Sequence, residues 1–189
     1  MSAPDQNLLE RVASQISSPP SYAEAGTKAS ILTVAAASYG SKPTTDEVTQ
    51  PTGFDPDAAA LFEAVVEAAF LVAAADGEFD AAEREAFEHV VLSACEGTVG
   101  RGQVHALVAD LEDQLEEDGL DKRVSMVTKT VNKAEHAQEV LRVAALIAHV
   151  SGGVSDVERD VLDKLTAEFS LGPEALARAI EEAAAALAS

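Results

Sequence analysis

Four carboxylates crowd the stretch Asp76-Gly77-Glu78-Phe79-Asp80-Ala81-Ala82-Glu83. Asp76, Glu78 and Asp80 alternate along a short turn, and oxygens at that spacing can converge on a hard cation. Glu83 lies one helical turn beyond Asp80, where it could close the shell. An EF-hand is a different arrangement, with glycine sixth and a bidentate Glu twelfth. Here Gly77 is second and the twelfth position is Phe87. The same residues have a second reading. Asp80 fits a helix N-cap and Glu83 its N3 partner, a capping box worth on the order of 1 kcal/mol. Capping gives Asp76 and Glu78 no role, because carboxylates at a helix C-terminus oppose the helix dipole. From the residues alone, cation binding and helix capping both stand.

A degraded copy follows 75 residues later, Ser151-Gly152-Gly153-Val154-Ser155-Asp156-Val157-Glu158. It keeps the cap in Ser155 and Glu158. Ser151 and Gly153 replace Asp76 and Glu78. What the copies share is structural, and what differs is what a metal would need.

Other chemistry is poorly represented. His89, His105, His136 and His149 have no common ligand spacing, although His89 is near enough in sequence to approach the turn if the fold brings it there. His149 reads as a partly buried helix residue. One cysteine, Cys95, rules out a Cys/His zinc site and an internal disulfide. No nucleophile–base signature, phosphate loop or dinucleotide fingerprint is present. The expectation is a protein that is not an enzyme.

The net charge of −20, from 33 acidic and 13 basic residues, repels phosphate backbones and anionic lipid. It favours cations and basic protein partners, with no nucleic acid. Lys122, Lys129 and Lys133 share the one basic face of note, and a solvated or internally paired face is its ordinary reading. The start, Met1-Ser2-Ala3-Pro4-Asp5, has neither a basic nor an apolar leader region, so a cytoplasmic location is expected. The run from Ala58 to Ala75 is apolar except for Glu63 and Glu67. Two carboxylates there predict a buried helix and no membrane insertion.

Aromatics are 4% of the chain and Trp is absent, so the core must be Ala, Val and Leu, which suits close helix packing. The spacing predicts helices over 5–16, 22–39, 57–75, 81–94, 103–117, 121–131 and 140–150, one after Ser155, and a last one from Pro173 to about Leu187. Asn132-Lys133-Ala134-Glu135 offers a further capping box. Residues 1–56 read as an N-terminal extension of one or two short helices plus a linker rich in Pro, Gly and Thr. Residues 57–189 read as the main domain.

The stretches Ala75-Asp76-Gly77-Glu78-Phe79-Asp80-Ala81-Ala82-Glu83-Arg84 and Ser151-Gly152-Gly153-Val154-Ser155-Asp156-Val157-Glu158-Arg159 each follow an apolar helix and open an amphipathic one. Together they resemble the TerB-like domain of tellurite-resistance proteins, over about residues 57–188. The resemblance implies an all-α bundle of about seven helices in two pseudo-symmetric halves. It implies a non-enzymatic cytoplasmic protein linked to tellurite and chemical-stress resistance. It also implies an acidic surface for a divalent cation (Ca2+, Mg2+, Mn2+ or Zn2+), carried here by Asp76, Glu78, Asp80, Glu83 and Glu158. A basic or membrane-associated protein partner is expected, and homo-oligomerisation is left open. The alternative is a metal-independent acidic scaffold whose N-terminal arm docks to a partner.

Overall fold

The computed structural model describes residues 5–42, 54–151 and 153–188. Among them all regular structure is helical. Two helices, α1 (Gln6–Ser17) and α2 (Ile31–Gly40), precede seven more: α3 (Pro56–Ala73), α4 (Ala81–Ala94), α5 (Arg101–Asp118), α6 (Leu120–Thr130), α7 (Ala134–Ala148), α8 (Asp156–Glu168) and α9 (Pro173–Leu187). A 3-10 turn over His149–Ser151 extends α7. No helix among the described residues is long and apolar enough to cross a membrane.

Two helices are apolar nearly all round, and they become the centre. α3 is buried from Ala64 to Val72, and α7 from Val140 to Ala148. They pack on each other, and α3 also meets α2, α4, α5, α6 and α8. A helix without a polar face has no stable place at a surface. Small residues such as Ala68, Ala69, Ala144 and Ala145, all buried, let the neighbouring backbones come close. The carboxylates that interrupt α3 are both paired. Glu63 meets Lys42 at 3.2 Å, and Glu67 meets Arg123 Nε at 2.6 Å.

The N-terminal helices are part of this core. Leu9, Val12, Ala13 and Ile16 of α1 and Leu32, Ala35, Ala36 and Tyr39 of α2 are buried in the same cluster as α3 and α7. Tyr39 stacks on Phe62 at 4.6 Å between ring centroids. The residues of the expected extension that are described therefore fold as part of the main body. The expected linker at 43–53 lies outside the described residues.

Two local expectations are corrected. The expected helix from Tyr22 begins only at Ile31. The preceding segment bends through Gly26 at φ 102, and buried Ser30 takes the N-cap, accepting from Thr33 N–H. Alanine richness over 23–29 does not overcome a turn with its own cap. In α7 the N-cap is Lys133 and no side chain caps it, because Asn132 falls one residue too early for the expected box.

Gly40, the last residue of α2, has a packing role. A Cβ there would overlap the carbonyl oxygen of Thr98, in the turn after α4. The obstacle is main chain and cannot rotate away. Gly40→Ala is expected to destabilise the fold by about 1–3 kcal/mol, the usual cost of overpacking, read as a lower urea midpoint. An unchanged midpoint would mean that α2 can move off this turn freely.

Candidate functional site: the two helix–turn–helix corners

The acidic stretch forms the corner between α3 and α4. α3 stops at Ala73, and Gly77 at φ 83, a left-handed conformation that glycine allows, turns the chain toward α4. Phe79 turns inward. Its ring lies edge-on to Phe70 at 5.2 Å and to Phe87 at 6.0 Å, so it pins the corner to both helices. Asp80 then caps α4. Its Oδ1 accepts from Ala82 N–H at 2.8 Å and Glu83 N–H at 2.9 Å, and Glu83 Oε2 accepts from Asp80 N–H at 3.0 Å. That is the expected capping box.

Asp76 also has a structural role, which sequence reasoning missed. Its Oδ1 accepts from Glu78 N–H at 3.0 Å, a local turn that a short carboxylate makes two residues ahead. The signal was present in the Asp-Gly pair before Glu78. Only Glu78 has no such part, and it is exposed.

The second corner repeats the design with less charge. Val154 stands where Phe79 does and packs against the core. Ser155 and Glu158 form the box. Glu158 Oε2 accepts from Ser155 N–H and from Ser155 Oγ, both at 2.8 Å, while Ser155 Oγ accepts from Glu158 N–H at 3.3 Å. Glu158 is buried, only 8% exposed. It belongs to this corner, while Asp76, Glu78, Asp80 and Glu83 belong to the other.

Asp76, Asp80 and Glu83 each direct one oxygen at a backbone N–H of their own corner. Among the described residues no three His, Cys, Asp or Glu side chains come together so as to hold a metal ion. Two of the four histidines have partners elsewhere. His105 Nδ1 meets Glu88 at 2.9 Å, and His149 Nδ1 lies 2.8 Å from the Ala145 carbonyl oxygen. Cys95 is fully buried, and burial pushes its thiol up to about 12, so it is no nucleophile near neutral pH.

Replacing Asp80 tests the box directly. Asp80→Ala is expected to lose about 1 kcal/mol of stability, while Asp80→Asn, which keeps a side-chain acceptor, loses a few tenths. Equal losses in thermal unfolding would assign the effect to charge rather than to the cap.

No curated protein and no solved structure matches the chain. The family model described as "Tellurite resistance protein TerB" matches residues 62–181, which hold both corners, α7 and α3 from Phe62 onward. The chain belongs to the TerB family.

Proposed function

We propose that the protein is a non-catalytic TerB module that works by binding, with the acidic α3–α4 corner as a contact for a positively charged segment of a partner protein. The observation behind this reading is the state of the corner carboxylates. Asp76, Asp80 and Glu83 each spend one oxygen on the backbone, which fixes their direction, and Asp76, Glu78 and Asp80 are exposed. A rigid, outward-facing set of acids on a chain of net charge −20 attracts cations at long range and selects among them at contact. The one thiol, Cys95, is buried and does not meet a tellurium oxyanion, and the chain's charge repels such an anion. Any part in tellurite or stress resistance would therefore pass through a partner.

The test uses a lysine-rich peptide and two charge-matched variants, Asp76→Asn/Glu78→Gln and Glu116→Gln/Glu117→Gln. Asparagine at 76 keeps the acceptor for Glu78 N–H, so the corner stays folded. Weaker binding by the first variant alone supports the corner, whereas equal weakening assigns the attraction to overall charge. Calorimetric titration of Ca2+, Mg2+, Mn2+ and Zn2+ into wild type and Asp76→Asn accompanies it. Saturable binding lost in the variant would replace this reading with a cation-loaded corner, in which Glu78 and the second oxygens of Asp76, Asp80 and Glu83 turn to the ion.

A further inference from the structure

The sign of the charge reverses along α6 and the turn after it. Residues 122–134 contain no Asp or Glu and hold four of the 13 basic residues, Lys122, Arg123, Lys129 and Lys133. Arg123 turns inward to Glu67 and Asp118. Lys122, Met126 and Lys129 fall at i, i+4 and i+7 of α6, which puts them on one stripe, and Lys133 follows just past the helix end. Val124 and Val127 take the opposite, buried face.

Two features separate this stripe from an ordinary solvated face. Met126 is 45% exposed between the lysines. Lys129 and Lys133 make no ion pair or hydrogen bond among the described residues, in a chain with 33 carboxylates. Lys122 and Lys164, by contrast, are held by Asp118 and Asp121, each at 2.5 Å.

We propose that the Lys122–Met126–Lys129–Lys133 stripe docks an acidic amphipathic helix of a partner protein, with Met126 covered by an apolar residue of that helix. Charge complementarity selects this occupant. A second copy carries −20 and is repelled as a whole. Nucleic acid and anionic membranes are extended and meet the repulsion of the entire chain. A short acidic helix meets only the local field, because screening cuts off charges beyond about 8 Å at physiological salt. The stripe spans about 10 Å of helix, the reach of two turns of such a partner. The flexible thioether of Met126 suits a contact that must adapt. This surface is separate from the acidic corner and stands without it.

The probe is a synthetic three-turn helical peptide with Glu at i and i+4 flanking a leucine stripe, alongside a peptide with Gln for every Glu. Binding to the 15N-labelled full chain is followed by NMR and anisotropy. The expected result is saturable binding of the Glu peptide, with shifts centred on Lys122, Met126, Lys129 and Lys133. Lys129→Glu/Lys133→Glu should weaken it about tenfold, or about 1.4 kcal/mol, and Met126→Ser a few-fold, with thermal unfolding unchanged. The proposal is overturned if the Glu peptide does not saturate, if the double variant binds as wild type does, or if the Gln peptide binds as tightly. Tighter binding of phosphatidylserine vesicles or duplex RNA through the same residues would overturn it too.

Discussion

Arg123→Met is expected to destabilise the protein by about 3 kcal/mol, near the lower end for removing one partner of a buried ion pair. Arg123 Nε donates to Glu67 at 2.6 Å, and Nη1 donates to Asp118 at 3.1 Å. The Arg123 and Glu67 side chains keep only 12% and 10% of their exposure. Glu67 sits mid-way along α3, almost wholly buried, so losing the donor leaves a buried carboxylate without its partner. Asp118 closes α5 and is also held by Lys122, so one guanidinium ties three helices. Hydrogen bonds from Lys122 and Arg123 hold the Asp118 carboxyl below its usual range. Its share of stability is present at neutral pH and fades as pH falls through that lowered value. At about 2–4 °C per kcal/mol for a chain this long, the melting point should drop by about 6–12 °C. Adding Glu67→Gln should recover much of the loss, because the remaining partner is then neutral. If Arg123→Met costs less than 1 kcal/mol in urea unfolding, Glu67 has another way to satisfy its charge.

This pair shows where reading the sequence stops. Helical period and composition gave the all-α class, and local chemistry gave both corners: Asp80 with Glu83, Ser155 with Glu158, each three residues apart. Those interactions close within one turn, so spacing alone reveals them. Glu67 and Arg123 are 56 residues apart, and nothing in either neighbourhood names the other. The same holds for α1 and α2. Their apolar residues are too few to announce a core of their own, so they read as an appendage, whereas they complete the core that α3 and α7 begin. The acidic corner was half legible. Its caps were visible, but the bond from Glu78 N–H to Asp76 depends on the backbone path through Gly77, so Asp76 looked surplus to the fold.

The anchor for those N-terminal helices is a buried pair on α7, and its loss should be comparably costly. Glu139 Oε1 accepts from Ile31 N–H at 2.6 Å, at the start of α2. Arg142 Nη2 donates to the Gln15 carbonyl oxygen at 2.6 Å and Nη1 to that of Ser18 at 3.3 Å, at the end of α1. One turn of α7 thus satisfies the loose backbone groups of two helix ends. Both side chains are only 6% exposed. Burial raises the Glu139 carboxyl above its ordinary 4.5, with the Ile31 N–H and Arg142 pulling it back, and burial lowers Arg142. Arg142→Met leaves two carbonyls without their donor and Glu139 without its countercharge, for an expected loss of about 3–4 kcal/mol at pH 8. The pH dependence separates the two causes. With its folded value raised, Glu139 binds a proton more tightly in the folded chain than in the unfolded one. Its contribution to stability is therefore complete below 4.5 and is lost as pH rises through the raised value. Without Arg142 that value rises further, so the deficit of Arg142→Met should shrink as pH falls from 8 towards the raised value, below which a neutral Glu139 needs no partner. Glu139→Gln should flatten this difference while keeping the acceptor for Ile31. A deficit that stays constant with pH in urea unfolding would place the whole cost on the two carbonyls, and Glu139 would then hold α2 without depending on its neighbour's charge.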